Sequence, residues 1–496
     1  MADAYLLSTL FVLAMLLVGF ALRATFGPLR YLFIPASVVG GLVGLGVMQL
    51  AVRQTVSPSL SDGFTSISNV IDGWPSLLIA VVFAGLLMER PGKKFSQAIV
   101  AASRQGIVVW IIVFGQAFVG LLACAFLIYP FFDVPPSFGQ LIETGFAGGH
   151  GTAAAMGEVF DGLGFPQGRD LAFLFATAGL LYGVVSGIFF VNVGVRRGWL
   201  RGGPTDRESD RRRDTSRGSG VSETGDSVLP PESATGVAAS EFKVPVVSGL
   251  EDRSDPKPSS LATVRSEVID PLAFQLCLLG VAFGIGYLLQ QLFLLGAGLI
   301  ATEQQLGFVG KIPLFLFTLI GGWLTREAMH LLGVGDLIDG RSIARLVGIS
   351  MEVLIVAALA TLRLEAAADF LLPVLILLGV GFAWVAFCLL VVGRKLLPKS
   401  HWFELGLINY GMSTATTAQG MLLLRIVDRD LETDAASDYA TASPLSAPFI
   451  GGGFITVLIL PLTLERFGFV WVLPMMAMIL IGLFAIGWQL RDRGTT

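Results

Sequence analysis

Gly145-Phe-Ala-Gly-Gly-His-Gly-Thr-Ala-Ala-Ala-Met156 is a polar, glycine-rich stretch in a strongly apolar chain, and Asn409-Tyr-Gly-Met-Ser-Thr-Ala-Thr-Thr-Ala-Gln-Gly420 reads as its second copy. At a fixed offset Gly149 falls on Gly411, Thr152 on Thr414 and Ala153 on Ala415. Small and hydroxyl residues dominate both copies. Each lies between long apolar segments, at the same place in its half of the chain. Two broken elements in corresponding places of two halves point to a transporter binding site near the bilayer midplane.

Composition agrees with a membrane setting. The chain has 496 residues, 54% hydrophobic and 14% charged, with a mean hydropathy of +0.75. A soluble domain carries about a quarter charged residues. Sixty glycines also fit, because close helix packing in lipid favours small residues. The net charge of -4 and pI of about 5.5 decide little. Cys124, Cys277 and Cys388 all lie in apolar segments, which argues against a disulfide framework or a cysteine-based metal site. The first apolar run, 4–22, is longer than a signal-peptide core. It has no basic residue before it, and Arg23 and Arg30 follow it. That predicts a retained helix with its N-terminus outside.

About 20 apolar residues span a bilayer as a helix. On that rule spans are expected at 4–22, 31–52, 74–89, 105–129 and 170–194, then at 271–295, 308–325, 347–362, 370–393, 443–463 and 467–489. The polar copies, at 139–160 and 402–424, are too rich in glycine and hydroxyls for lipid-facing helices. Irregular backbone survives at membrane depth only when buried in protein or lining a wet cavity, so both are read as re-entrant hairpins. The basic residues test this count. Arg23 and Arg30, Arg90, Lys93, Lys94 and Arg104, the run from Arg196, Arg326, Arg341 and Arg345, Arg394, Lys395 and Lys399, and Arg491 and Arg493 all fall on the predicted cytoplasmic side. Arg363 and Arg466 are exceptions on the outer side.

Residues 196–269 differ in kind. Eight arginines fall between Arg196 and Arg217, followed by Ser, Gly, Pro, Asp and Glu. Such a segment cannot bury enough apolar surface to offset its chain entropy, so it reads as a mostly disordered cytoplasmic linker. Its basic start could touch anionic lipid headgroups. The expected fold is therefore an all-α integral membrane protein with two inverted repeats, each of five transmembrane helices plus a re-entrant hairpin. The first repeat covers 1–195 and the second 270–464, with an extra helix and cytoplasmic tail at 465–496. Ile34-Pro35 with Gly40-Gly41, and Ile312-Pro313 with Gly321-Gly322, form a weaker echo of the repeat.

Gly148, Gly149, His150, Gly151 and Thr152 form the sharpest motif. Consecutive glycines let a ligand approach the main chain, and freed amides and carbonyls at a hairpin tip can hold an anion or a small cation. The competing reading is a glycine-rich helix contact. His150 could donate to a carboxylate or titrate near neutral pH, or simply bond to backbone. A lone histidine makes no metal site. Ser413, Thr414, Thr416 and Thr417, with Gly411, offer oxygens of the kind Na⁺ prefers, though hydroxyls in helices also bond their own carbonyls. Asn409 and Gln419 could orient a substrate. Acids at or near membrane depth are Glu143, Glu158, Asp161, Glu352 and Glu404, with Glu352 read as one turn into its helix. Gln116 and Asn192 read as interhelical hydrogen-bonding residues. The chain has no Gly-x-x-x-x-Gly-Lys-Ser/Thr motif and no nucleophile–base spacing, which points away from ATP-driven transport and from an enzyme. Nothing points to nucleic acid as a partner.

Ile34-Pro-Ala-Ser-Val-Val-Gly-Gly41 together with Gly148-Gly-His-Gly-Thr152 resembles the bacterial sodium/glutamate symporter family. The resemblance runs through both halves, excluding the linker and last helix. It implies a homodimer in the plasma membrane, hairpins that meet at the substrate site, elevator-like alternating access and Na⁺-coupled uptake of L-glutamate without a bound cofactor. The second hairpin departs from the family's glycine-rich run ending in Thr-Pro-Thr-Ala: Ser413 stands for a central glycine and Thr416 for the proline. The linker and extra helix are further departures. Substrate binding is thus expected at Gly149, His150, Gly151, Thr152, Asn409, Ser413 and Thr414, and cation binding at Gly411, Thr414, Thr416 and Thr417. The alternatives are a carrier for another organic anion or dicarboxylate coupled to Na⁺ or H⁺, a channel, and a membrane sensor.

Overall fold

A computed structural model describes residues 2–31, 34–53, 58–88, 99–200, 270–300, 313–429, 433–446, 451, 453 and 455–492. Most of the predicted linker, the start of the span at 308–325, Ile312 of the echo, and Arg90, Lys93, Lys94 and Arg493 lie outside them. Among the described residues 87% are helical and none is in a strand. The principal helices are α1 (Ala2–Thr25), α2 (Ala36–Arg53), α3 (Pro58–Asp72), α4 (Trp74–Leu86), α5 (Ile99–Ala123), α6 (Leu141–Gly145), α7 (Gly149–Gly162) and α8 (Gly168–Arg196). They continue with α9 (Pro271–Ile300), α10 (Leu314–Leu331), α11 (Gly340–Ala360), α12 (Leu371–Phe387), α13 (Trp402–Thr414), α14 (Thr417–Val427), α15 (Ala435–Ser446) and α16 (Leu460–Asp492). Eight helical runs among the described residues are long and apolar enough to cross a membrane.

The helices sort into two groups. In the first, α1 to α4 pack with α9, α10 and α11; in the second, α5, α6 and α8 pack with α12 to α16. α7 packs on α8 and also reaches α4 and α11, so it lies where the two groups meet. Glycines set the closest crossings in the first group. A Cβ on Gly40 would strike the Met15 backbone of α1, and one on Gly41 would strike Leu359 of α11. A Cβ on Gly321 would likewise strike the Ala282 carbonyl of α9, and one on Gly322 the Ala84 carbonyl of α4. In each Gly-Gly pair the first glycine admits the preceding helix and the second admits a helix from the other half of the chain. Close approach of this kind replaces the missing hydrophobic drive between helices in lipid.

Three segments run differently from the sequence-based expectation. Residues 53–73, expected as an outer loop, are largely α3. Its Phe64, Ile67 and Ile71 recur at helical spacing and pack on Val12 and Met48, while four serines and a threonine between Pro58 and Asp72 disguise the pattern. α11 starts earlier than 347, at Gly340, because Asp339 caps it by accepting from the Arg341 amide at 3.1 Å. Glu352 therefore lies near the middle of a helix and not one turn into it. Residues 443–463 do not form one continuous described helix: α15 stops at Ser446, a wide helical turn covers Ile455–Ile459, and α16 follows. Within α16 the backbone breaks at Gly468, with φ 66°. The break lies close to the expected start of the extra helix at 467.

Charge separates the two ends. At one end Arg169 pairs with Asp72, and Arg363, one of the two exceptions to the expected charge pattern, pairs with Asp170 at 3.1 Å. Burial holds the carboxyl of nearby Asp161 above the usual range, although Arg169 and Arg363 oppose that shift. Where α5 begins, Arg104 donates to the Leu396 and Leu397 carbonyls at 2.6 and 3.1 Å. Arg326 donates to the Leu87 carbonyl at 3.1 Å just past α4.

Candidate functional site

Both glycine-rich copies are helices broken in the middle. In the first, α6 ends at Gly145, where a Cβ would strike Phe175 of α8. The chain then turns through Phe146 to Gly148, with the Phe146 amide donating to the Ile142 carbonyl at 2.8 Å and the Gly148 amide to the Glu143 carbonyl at 2.9 Å. Gly149 opens α7 with φ 63°. A ring stack seats this turn: Phe146 lies on Phe382 at 5.4 Å, and Phe382 on Tyr182 at 3.8 Å. In the second copy α13 ends at Thr414, Ala415 turns the chain out of the helix with φ -163° and ψ -69°, Thr416 is extended, and α14 begins at Thr417. The Thr416 hydroxyl caps α14 by accepting from the Gln419 amide at 3.3 Å.

The two breaks meet. A Cβ on Gly149 would sit 2.9 Å from the Ala415 carbonyl oxygen. On α8, a Cβ on Gly179 would strike the Thr414 carbonyl, and one on Gly183 would strike the Thr414 hydroxyl and the Gln419 amide. A Cβ on Gly187 would meet Leu423 at 2.7 Å. Gly179, Gly183 and Gly187, about one turn apart, thus form a stripe that receives the second broken helix. The start of α7 presents amides without intrahelical partners, together with the positive end of the helix dipole.

The sequence-predicted residues divide by position. Gly149, Ser413, Thr414 and Thr416 cluster at or beside the breaks. His150 is buried in the first turn of α7, with Nε2 3.2 Å from the Thr177 hydroxyl. The Thr177 hydroxyl is also 3.0 Å from the Phe173 carbonyl; when it donates there, the imidazole Nε2–H donates to Thr177. Gly151 rests against Met351 of α11, and Thr152 donates to the Gly148 carbonyl at 2.9 Å. Ser413 and Thr414 both donate to the Tyr410 carbonyl at 3.0 Å. A hydroxyl that gives its hydrogen to a carbonyl keeps lone pairs for a cation, so these bonds do not remove it as a ligand.

Three residues are turned elsewhere. Asn409 and Gln105 of α5 exchange amide hydrogen bonds of 2.6 and 3.2 Å in the interior. Asn409 also borders a small void of about 10 Å³, at most enough for one water. Thr417 lies 3.0 Å from the Tyr439 hydroxyl of α15, and Gly411 is pressed on Gly420 of its own partner arm.

The tertiary partners were not singled out as site residues from the sequence. Gln116, read as an interhelical bonding residue, donates to the Ser413 carbonyl at 2.6 Å and so holds the end of α13. Gln116 Oε1, Gln419 Oε1 and the Thr144 hydroxyl are buried without a protein partner. Buried polar atoms left open in this way call for water or a bound ligand. The four-residue spacing of Gly179, Gly183 and Gly187 was the available signal for α8, since such stripes mark close helix contacts. Gln105 carried no comparable signal. Comparison of the chain with protein-family models, curated proteins and solved structures returned no match.

Proposed function

We propose that this chain is a secondary active transporter that carries L-glutamate or a similar anionic amino acid inward with Na⁺. The observation that carries the reading is the meeting of two broken helices, Gly149 against Ala415, between the long apolar helices. Broken helices are the usual way to place unpaired amides and carbonyls at membrane depth. In this proposal the amides at Gly149, Gly151 and Thr152, aided by the α7 dipole, bind carboxylate. The hydroxyls of Ser413, Thr414 and Thr416, with the carbonyls at the end of α13, bind Na⁺. No covalent chemistry is required: the Na⁺ gradient drives uptake because the two ligands favour the same conformation.

The crossed glycine pairs support two inverted repeats. Gly41 seats a helix of the second half, and Gly322 seats a helix of the first. We propose that the group carrying the broken helices moves against the group of α1 to α4 and α9 to α11, with α7 as the moving contact, and that the protein works as a homodimer in the plasma membrane.

The test is uptake of radiolabelled L-glutamate into proteoliposomes with and without an inward Na⁺ gradient. Concentrative uptake that needs Na⁺, reduced by Thr152→Val and by Thr414→Val in normally folded protein, is the expected result. Uptake indifferent to Na⁺ would remove the coupling. No glutamate uptake, with accumulation of another organic anion, would replace the substrate. Flux that equilibrates but never accumulates would indicate a pore.

A further inference from the structure

Beyond the transport site, a second feature has the form of a binding site. Where α12 ends, the helix widens over Cys388–Gly393 and then continues as the short Arg394–Leu396 turn. An open groove of about 470 Å³ lies here against the last turn of α16. Its lining is Leu390, Val391, Arg394, Lys395, Lys399 and Arg491. Four of these six are cations and none is an acid. Arg394, Lys395 and Lys399 are exposed. Arg491 is positioned over the Trp488 ring, 4.2 Å from its centroid.

We infer that this groove binds an anionic phospholipid, with the headgroup phosphate among Arg394, Lys395, Lys399 and Arg491 and the glycerol and first methylenes on Leu390 and Val391. The exposed cations Arg394, Lys395 and Lys399 repel one another, and an anion relieves that repulsion. The apolar floor belongs to a span long enough to cross a membrane, Leu371–Leu396, with the cations at its end. Charge one turn beyond hydrocarbon-facing residues matches the layering of a phospholipid, and basic pockets between helix ends are suited to such headgroups. A soluble phosphate would use the cations but leave Leu390 and Val391 in water. The wide turn supports the assignment, because wide turns inside helices often lie at functional sites. The groove also joins α12 to α16, so an occupant would tie the terminal helix to the rest of its group. Gly487 already approaches Leu396 there, at 3.2 Å for an added Cβ.

The experiment is lipid binding by the full-length protein in detergent, read by native mass spectrometry and thermal shift. The probes are dioleoyl-phosphatidylglycerol, dioleoyl-phosphatidylcholine and soluble glycerol phosphate. The expected result is stabilisation by phosphatidylglycerol, with the choline lipid and glycerol phosphate much weaker. Lys395→Gln with Lys399→Gln should weaken phosphatidylglycerol binding about thirtyfold, the size expected for two cations lost at an anionic surface. Both lysines are exposed, so the fold should be spared, and the lipid comparison on unaltered protein stands without them. The control pair Arg23→Gln with Arg30→Gln removes basic residues away from the groove and should leave binding within about twofold. Three results would overturn the proposal: equal response to the two lipids, a full response to glycerol phosphate alone, or equal loss in the control pair.

Discussion

The two broken helices are interrupted by different means. The first break is local: Phe146 to Gly148 turn the chain, and Gly149 sits at φ 63°, where other residues are strained. The second break has no glycine at its centre. Ala415 and Thr416 leave the helical conformation although most of their neighbours could continue a helix. Its shape comes mainly from its surroundings, Gln116 on the Ser413 carbonyl and the glycine stripe of α8 under Thr414 and Gln419, with the Thr416 cap as a local addition. A break encoded locally should resist changes in its neighbours, whereas one imposed from outside should fail when its seat is altered.

The sharpest way to break this comparison is Gly183→Leu. The new side chain would enter space held by Thr414 and Gln419. Overpacking of this kind costs roughly 1–3 kcal/mol or more. The expected outcome is a clearly lower melting temperature with loss of uptake. Wild-type behaviour in both would mean that the second helix is not seated on α8.

Next comes the Gln105–Asn409 pair. Asn409→Leu alone should cost about 1–3 kcal/mol, because it strands a buried amide, and Gln105→Leu with Asn409→Leu should recover part of that loss. Thermal unfolding of Asn409→Leu, Gln105→Leu and the double variant checks it. A double variant as unstable as the sum of the singles would refute direct coupling.

A smaller effect separates the breaks themselves. Gly149→Ala should cost about 1–2 kcal/mol from the left-handed backbone alone, and more if the Ala415 carbonyl cannot yield. Ala415→Gly should cost less than about 1 kcal/mol. Equal melting temperatures for the two variants would erase the distinction drawn here.

The smallest expected effect is at the charged end. Asp72→Asn removes an ion pair whose acid is 43% exposed. Such pairs contribute at most about 1 kcal/mol. A larger loss of stability, or a salt-insensitive one, would give that end more weight than the broken helices and change the reading of how the two groups are held.

Much of the fold was legible because membrane helices need long apolar runs, and these survive inspection without alignment. The eight long apolar helices follow from that requirement. α3 was not legible because its apolar face is thin among serines, and its burial depends on α1 and α2. The polar start of α11 was missed for a related reason, since a capping aspartate and two arginines look like loop. Both departures change function-related statements, the second by moving Glu352 toward the middle of its helix.

The sequence alone determined the helical class, the long apolar runs behind eight membrane-length helices among the described residues, and the two polar stretches that could not remain ordinary helices, because backbone in lipid has few options and glycine and hydroxyl residues mark the exceptions. Only the tertiary structure decided which of those residues face one another. It set Gly149 on Ala415, gave Ser413 to Gln116, and withdrew Asn409 into a pair with Gln105. The physical reason is separation along the chain. Gln105 and Asn409 lie 304 residues apart. Local propensity carries no information about contacts over that distance, which the packing of the helices selects.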